Sequence, residues 1–242
     1  MSNWAASSDP YPPLEGQVHV WSVALDPARF DARSWLGRLS PQERERAQRF
    51  KFPRDLRRYV AAHVALREIL AGYLNVPAGD LLFVDGVNGK PRLAPAFATT
   101  GIEFNLSHSH ERALVAFARG IVIGIDLEFV KSDFGFEDVA ERFFTPREVT
   151  TLRALPQALR RLAFYKCWTS KEAFLKARGT GLSGALDEVE IVSSSRNRVA
   201  IAASVTGWSL IDVEPGAGYE GALVLEGKSR LPIHRRLWQP DR

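Results

Sequence analysis

The chain is poor in thiols: Cys167 is its one cysteine. Neither an intramolecular disulfide nor a zinc site built on several cysteines can form, and a reducing, cytoplasmic setting is the simplest reading. No apolar run reaches the roughly 18 residues that a bilayer-spanning helix needs. Residues Met1 to Pro13 also lack the basic-then-apolar pattern of a secretory signal. A soluble protein with no membrane partner is expected. Low-complexity stretches are missing as well, which excludes collagen-like and disordered classes.

What is present suits an ordinary globular protein. The 242 residues are 45% hydrophobic and 25% charged, with 18 Gly and 14 Pro, enough chain for one large domain or two of about 120 residues each. Lys and Arg number 32 against 28 Asp and Glu, a net charge of +4. That balance accommodates a phosphate-bearing ligand or an acidic partner without demanding either. Basic residues crowd the segment from Arg44 to Arg67 and the tail from Lys228 to Arg242. The tail reads as a frayed, solvated terminus.

The sequence repeats itself once. Leu39-Ser40-Pro41-Gln42-Glu43 resembles Phe144-Thr145-Pro146-Arg147-Glu148, with Ser40 and Thr145 offset by 105. Arg57-Arg58 aligns with Arg160-Arg161 at 103, and Arg67-Glu68-Ile69-Leu70 with Lys171-Glu172-Ala173-Phe174 at 104. Glu111 to Val115 matches Glu220 to Val224 at 109. A Ser/Thr-Pro-x-Glu start is ordinary helix chemistry, an N-cap, a first-turn proline and a first-turn acid. Four matches in one order and at nearly one offset indicate two similar halves, 1–123 and 124–242. Helical spacing covers Pro41 to Phe50, Arg54 to Tyr73, Phe136 to Phe143, Pro146 to Leu152 and Gln157 to Ala177. Strand patterns cover Val18 to Val23, Ile102 to Leu106, Ala113 to Ala118, Ile121 to Glu128, Val189 to Val192, Val199 to Val205, Trp208 to Val213 and Gly221 to Glu226. The expectation is an α+β fold, made twice.

Three segments carry candidate chemistry. Gly120 to Glu128 reads as a buried strand ending in two carboxylates. At about 3.3 Å per residue with alternating faces, Asp126 and Glu128 share one side, about 6–7 Å apart. They can meet one hard cation such as Mg²⁺, or simply face water. In the helix through Phe164 to Lys176, Trp168, Glu172 and Lys176 fall at i, i+4 steps and form one stripe of aromatic, acid and base. The plainer alternative is a surface Glu–Lys pair with Trp168 anchoring the core. Gly179 and Gly181 read as a helix stop and loop, and Cys167 as a small buried hydrophobe rather than a nucleophile. In Asn105 to His110, the adjacent Ser107 and His108 point to opposite faces of a strand, and no Gly-x-Ser-x-Gly elbow surrounds the serine, which disfavours nucleophilic catalysis. Both can hydrogen-bond phosphate oxygens. Lys90, in the turn Asn88-Gly89-Lys90-Pro91, can reach the same ligand or remain a solvated turn lysine.

Together these segments resemble the Sfp-type 4′-phosphopantetheinyl transferases. The likeness runs from the Ser40-Pro41 helix through Gly89-Lys90-Pro91, Asn105 to Ser109, Gly124-Ile125-Asp126-Leu127-Glu128 and Arg142-Phe143-Phe144 to Trp168-Thr169-Ser170-Lys171-Glu172-Ala173 with Lys176. Gly-x-Asp-x-Glu followed about 40 residues later by Trp-x-x-Lys-Glu-x-x-x-Lys is its specific part. The resemblance implies a monomeric pseudo-dimer, two similar α+β subdomains related by a pseudo-two-fold axis. The first half (1–123) would contact nucleotide phosphates and the second (124–242) would hold metal and catalytic residues.

It further implies transfer of the phosphopantetheine arm of coenzyme A to a serine of an apo acyl or peptidyl carrier protein, releasing adenosine 3′,5′-bisphosphate. Asp126, Glu128 and Glu172 would hold Mg²⁺, Glu172 would act as base, and Lys176 would stabilise charge on the breaking anhydride. Lys90, Ser107 and His108 would grip the nucleotide phosphates. Glu43 stands where many relatives carry a basic residue for the 3′-phosphate, so Arg44, Arg46 or Arg58 must supply that charge. Carrier proteins of this kind are acidic helical bundles, for which Phe143, Phe144, Arg147 and Arg153 offer an apolar and basic docking patch, unless the two phenylalanines close a helix as core. A metal-dependent phosphohydrolase or nuclease could use the same acids, and a non-catalytic coenzyme A or nucleic-acid binding module the basic residues alone. The resemblance favours the transferase, with no nucleic-acid partner.

Overall fold

The computed structural model describes residue 4 and residues 11–26, 31–86, 89–180, 186, 189–194, 198–201, 206–227 and 230–240. Gly181, Asn88 and the 202–205 end of one expected strand lie outside the described residues. In chain order the elements are β1 (Val18–Ala24), α1 (Ala32–Trp35), α2 (Pro41–Gln48), α3 (Pro53–Leu74), β2 (Phe83–Asp85), β3 (Pro91–Leu93), β4 (Ile102–Ser109), β5 (Arg112–Arg119) and β6 (Ile123–Phe129). There follow α4 (Phe136–Phe143), α5 (Pro146–Ala154), α6 (Gln157–Arg178), β7 (Ile191–Ser194), β8 (Arg198–Ile201), β9 (Trp208–Val213), β10 (Tyr219–Glu226) and β11 (Ile233–Trp238). Among the described residues no helix is long and apolar enough to cross a membrane.

Strand alternation sorts the buried residues into layers. The first sheet has the order β11-β1-β5-β4 and the second β6-β10-β9. Trp21 and Val23 of β1, with Val115 and Phe117 of β5, turn toward α3 and bury its Val60, Val64 and Ile69. Val18, Val20, Leu114 and Ala116 turn the other way and meet Ile123, Ile125 and Leu127 of β6 and Leu223 of β10 between the two sheets. Ala222 and Val224 face α6, whose Ala173, Phe174 and Ala177 cover the second sheet. The protein is therefore a helix, two sheets and a helix stacked in order, an α+β fold with one long helix per half.

The repeat read in the sequence has a physical core. Ser40 and Thr145 each accept from the backbone of the third residue of their helix, and Glu43 and Glu148 return the bond to the cap backbone, so α2 and α5 open on the same capping box. The same two glutamates reach into the next helix. Glu43 Oε2 lies 2.6 Å from Arg67 Nε, and Glu148 Oε2 lies 2.8 Å from Lys171 Nζ. The side chains of Arg67 and Lys171 are 1% and 0% exposed, so both cations sit out of water. Each cation then binds two carbonyls of the chain beyond its helix: Arg67 those of Ala78 and Leu81, Lys171 those of Leu186 and Val189. α3 and α6 both span 22 residues and end on left-handed caps, Asn75 and Gly179.

One expectation is overturned, one open alternative is decided, and three short elements are not legible in the sequence. The tail is not frayed between 233 and 238: β11 pairs in parallel with β1, from Val18 opposite Ile233 to Val23 opposite Trp238, so the last strand of the chain completes the sheet of the first half. Its Arg236 is buried and stacks over Trp21 at 5.6 Å. Phe144 is core, stacked on Phe164 at 5.3 Å between centroids. The short pair β2–β3 and the four-residue α1 carry too few residues to show a period.

Breaking a buried pair leaves the partner charge without compensation, which costs about 3–5 kcal/mol. Arg67→Met or Lys171→Met is expected to lower unfolding stability in urea by about that much. The pair Arg49–Glu45, with side chains 73% and 68% exposed, should change it by less than about 0.5 kcal/mol when Arg49 is replaced by Ala. Equal losses at the three positions would refute a special role for the buried pairs.

Candidate active site

β4 and β6 are the edge strands of their sheets, and they lie alongside each other without a backbone ladder. Side chains of the first half take the place of that ladder. Asn105 Oδ1 accepts from the amide of Ile125 at 2.8 Å, and Ser109 Oγ from the amide of Phe129 at 3.1 Å. Lys90 Nζ donates to the carbonyl of Ile123 at 2.8 Å. Burial holds the Lys90 ammonium down, to a pKa of about 8, against the opposing pull of Glu103.

On the other side of β6, Gly124 sets how close α6 can come. A Cβ there would collide with the backbone of Ala173 and Ala177, so the glycine lets the helix lie directly on the strand. That approach brings Lys176 onto the β6 carboxylates. Its Nζ is 2.6 Å from Asp126 Oδ1 and 2.9 Å from Ser107 Oγ, and Ser107 itself donates to Asp126 Oδ1 at 2.9 Å. One step along the strand, Ser109 donates to Glu128 Oε2 at 2.7 Å. Burial, then the charge of Asp126, raises the Glu128 carboxyl above its ordinary range. Burial and then Asp126 also push Glu172 up to about 7.

As arranged, no three of the described His, Cys, Asp and Glu side chains close around one cation position, and Lys176 supplies the positive charge beside Asp126. Two oxygens nevertheless have no partner: Asp126 Oδ2 and Glu172 Oε1 are buried without a hydrogen bond. Buried carboxylate oxygens are costly in that state unless a cation or donor meets them. Hard carboxylate oxygens of this kind suit Mg²⁺. The stripe on α6 divides in use. Trp168 packs edge-on against Phe143 and stacks on Phe164 at 6.0 Å, as a core anchor, while Glu172 and Lys176 approach the β6 carboxylates and form the candidate cleft with them.

His108 points from β4 toward α3, away from Ser107, as alternation requires. Partial desolvation and then the positive charges of Lys176 and Arg58 hold its imidazole below its ordinary pKa. Arg58 is already committed, 2.6 Å from Glu111 and 3.5 Å from Asp55. Arg46 lies over the Tyr59 ring at 6.0 Å, and Arg44 donates to the carbonyl of Leu39 at 2.7 Å. Arg46 and Arg58 thus face the same region as His108, and Arg44 is engaged at the start of α2. Cys167 is buried beside Glu148, and burial, then that carboxylate, raises its thiol well above the ordinary value. It cannot serve as a thiolate nucleophile.

Comparison with known proteins gives the family. The profile of the 4′-phosphopantetheinyl transferase superfamily matches residues 122–222, and that of the 4′-phosphopantetheinyl transferase N-terminal region matches residues 24–119. The chain is 38% identical over 235 residues to the 4′-phosphopantetheinyl transferase HetI of a Nostoc species, covering 96% of this chain and 95% of that protein. This chain is an Sfp-type 4′-phosphopantetheinyl transferase. It is also 30% identical over 197 residues to the human L-aminoadipate-semialdehyde dehydrogenase-phosphopantetheinyl transferase, covering 77% of this chain and 63% of that one. A holo-(acyl-carrier-protein) synthase from Bacillus anthracis, solved in complex with CoA, aligns at a TM-score of 0.39 and 23% identity over 45% of this chain and 98% of its own.

Two residues of this transferase's cleft escape sequence reasoning, Asn105 and Ser109. Both sit in the segment that sequence analysis isolates, and the period-two run Asn105, Ser107, Ser109 in a strand is the available signal. Their partners lie on β6, about twenty residues on, and only the packed edges reveal them.

Proposed function

We propose that the enzyme transfers 4′-phosphopantetheine from coenzyme A to a serine of an apo acyl or peptidyl carrier protein, with Mg²⁺, and releases adenosine 3′,5′-bisphosphate. The observation that carries this reading is the pair of unpartnered buried oxygens on Asp126 and Glu172, set against Lys176 at the meeting of the two sheets. Asp126, Glu128 and Glu172 would hold the ion, which when bound neutralises the pyrophosphate. Glu172, near pKa 7, is suited to take the proton of the carrier serine, directly or through water. The serine oxygen forms a bond to the phosphorus nearer the pantetheine, the bridging P–O bond breaks, and the electron pair leaves with the nucleotide. Lys176 donates to the oxygens on which that charge builds. His108, Arg46 and Arg58 face one region on the first-half side, where the nucleotide phosphates would bind, and Lys90 would reach them from its place beside Ile123. The second half supplies the partner surface for the first, in keeping with a monomer.

Incubation with coenzyme A, Mg²⁺ and a panel of apo carriers, followed by intact mass, is expected to show one phosphopantetheine added to at least one carrier. Glu172→Gln should lose at least 10²-fold in rate, with an unchanged circular dichroism spectrum. Release of nucleotide from coenzyme A without a carrier would replace this reading by a phosphohydrolase.

The pH dependence of binding follows from Lys90. Its lowered pKa means that the ammonium is present below about pH 8 and lost above it. Calorimetry should therefore show coenzyme A affinity falling between pH 7 and pH 9. Lys90→Arg, which stays charged throughout, should flatten that fall. A fall of the same steepness in the variant excludes Lys90 as its source.

Docking of the carrier belongs beside α4 and α5. Arg147 and Arg153 have side chains 72% and 65% exposed, and Phe134 is exposed nearby in sequence. Their surface partners, Glu190 and Glu141, hold them weakly. Reversing either arginine to glutamate should slow transfer several-fold at low salt, less at high salt, with coenzyme A affinity intact, since rim charges steer encounter. Unchanged transfer, or an equal loss of coenzyme A affinity, would remove this surface from carrier recognition.

A further inference from the structure

Ser109 has no part in the reaction as set out above, yet its one proton goes to a carboxylate of the site. The hydroxyl accepts the amide of Phe129 at 3.1 Å, which fixes the oxygen, and its single proton goes to Glu128 Oε2 at 2.7 Å. Ser107, two residues back on the same face, treats Asp126 alike, donating to Oδ1 at 2.9 Å while Lys176 donates to the same atom at 2.6 Å. Each β6 carboxylate therefore enters the cleft with one oxygen committed to the protein. On Asp126 the other oxygen, Oδ2, is buried and unpartnered.

A carboxylate oxygen that accepts a hydrogen bond is held in place and is a poorer ligand than a free one, so each of these carboxylates offers a cation chiefly its other oxygen. Monodentate donors suit Mg²⁺ and Mn²⁺, which take six ligands in near-octahedral geometry at about 2.1 Å. Ca²⁺ takes six to eight oxygens at about 2.3–2.6 Å and readily uses both oxygens of one carboxylate. We propose that Ser109 is a positioning residue that restricts Glu128 to a single free oxygen, and so biases the site toward small octahedral ions and against Ca²⁺. This rests on the reading that Asp126, Glu128 and Glu172 hold a divalent cation.

The test is ion binding by the full-length protein without substrate, with free Mn²⁺ followed by electron paramagnetic resonance and Ca²⁺ by its displacement of Mn²⁺. In Ser109→Ala the Mn²⁺ Kd should rise roughly tenfold, as for loss of an outer-sphere partner, while the Ca²⁺ Kd holds or falls. Ser109→Thr keeps the hydroxyl and should keep the wild-type ratio of the two constants. In a Glu128→Gln background the Ser109→Ala change should have no further effect on that ratio. If Ser109→Ala does not fold, judged by its thermal melt, Ser109→Cys replaces it, since a thiol donates weakly. Equal weakening of both ions, or a threonine variant that behaves like the alanine one, overturns the proposal. A wild-type protein that binds neither ion, and transfers in the presence of chelator, overturns the metal reading itself and this inference with it.

Discussion

The constraint on which the rest depends is the meeting of two sheet edges that do not pair. An edge strand carries a row of amide and carbonyl groups, and each one buried without a partner costs about 1–3 kcal/mol. In this transferase the outward row of β6 is met by Lys90 at Ile123, Asn105 at Ile125 and Ser109 at Phe129, all side chains of the first half. A continuous backbone ladder would have satisfied the same groups and closed the gap. Side-chain stitching holds the halves together where a ladder would otherwise run, and Ser107, Ser109, Asp126 and Glu128 meet along that seam. One residue that closes the seam also touches the candidate site: Ser109 bonds both a β6 amide and Glu128.

Within each half a second device does the structural work. The capping glutamate of the short helix and the buried cation of the long helix are the same pair made twice, Glu43 with Arg67 and Glu148 with Lys171. This accounts for Glu43, whose carboxylate is used inside the first half and is not available to a ligand. It also accounts for the lysine of the Trp-x-x-Lys-Glu segment, which holds α6 to α5 and to the chain after α6. The neighbouring acids then part company. Glu68 follows Arg67 and pairs with the surface residue Arg38 at 2.7 Å, whereas Glu172 follows Lys171 and faces the cleft. At an offset of 105, Asp126 and Glu128 correspond to Trp21 and Val23, which are buried against α3. One skeleton serves both halves, and only the second has acids where the first has core.

What the sequence discloses follows the range of the forces involved. Capping boxes, helical periods and the glycine ends of helices are local, and α4 and β9 run over the residues that the pattern alone assigns. The order and spacing of Gly-x-Asp-x-Glu and Trp-x-x-Lys-Glu are also local, and they locate Asp126, Glu172 and Lys176 before any coordinates. β11 is different. Ile233-His234-Arg235-Arg236-Leu237-Trp238 has too many charges to read as a strand, and it is one because β1, more than two hundred residues earlier, offers an open edge for it. Arg236 can be buried there because Trp21 presents a ring face to it. Ser109 and Asn105 likewise acquire their roles from a strand that sequence alone does not place beside them.

The electrostatics of the cleft point the same way as its donor set. Three acids stand around one lysine on the β6 and α6 side. On the α3 side Arg58 is already balanced by Glu111 and Asp55, and His108 is held toward its neutral form. A pyrophosphate brought between these walls would meet a surface with little positive charge to spare. Lys176 has two of its three N–H donors on Asp126 Oδ1 and Ser107, which leaves one for an incoming anion. Asp126 Oδ2 and Glu172 Oε1 are the buried oxygens of this cluster that no donor meets, and a cation beside them would supply the missing positive charge. In the proposed reaction Asp126, Glu128 and Glu172 would hold Mg²⁺, whose positive charge would offset the repulsion among these acids, while Lys176 would stabilise charge on the phosphates and Glu172 would take the proton of the carrier serine.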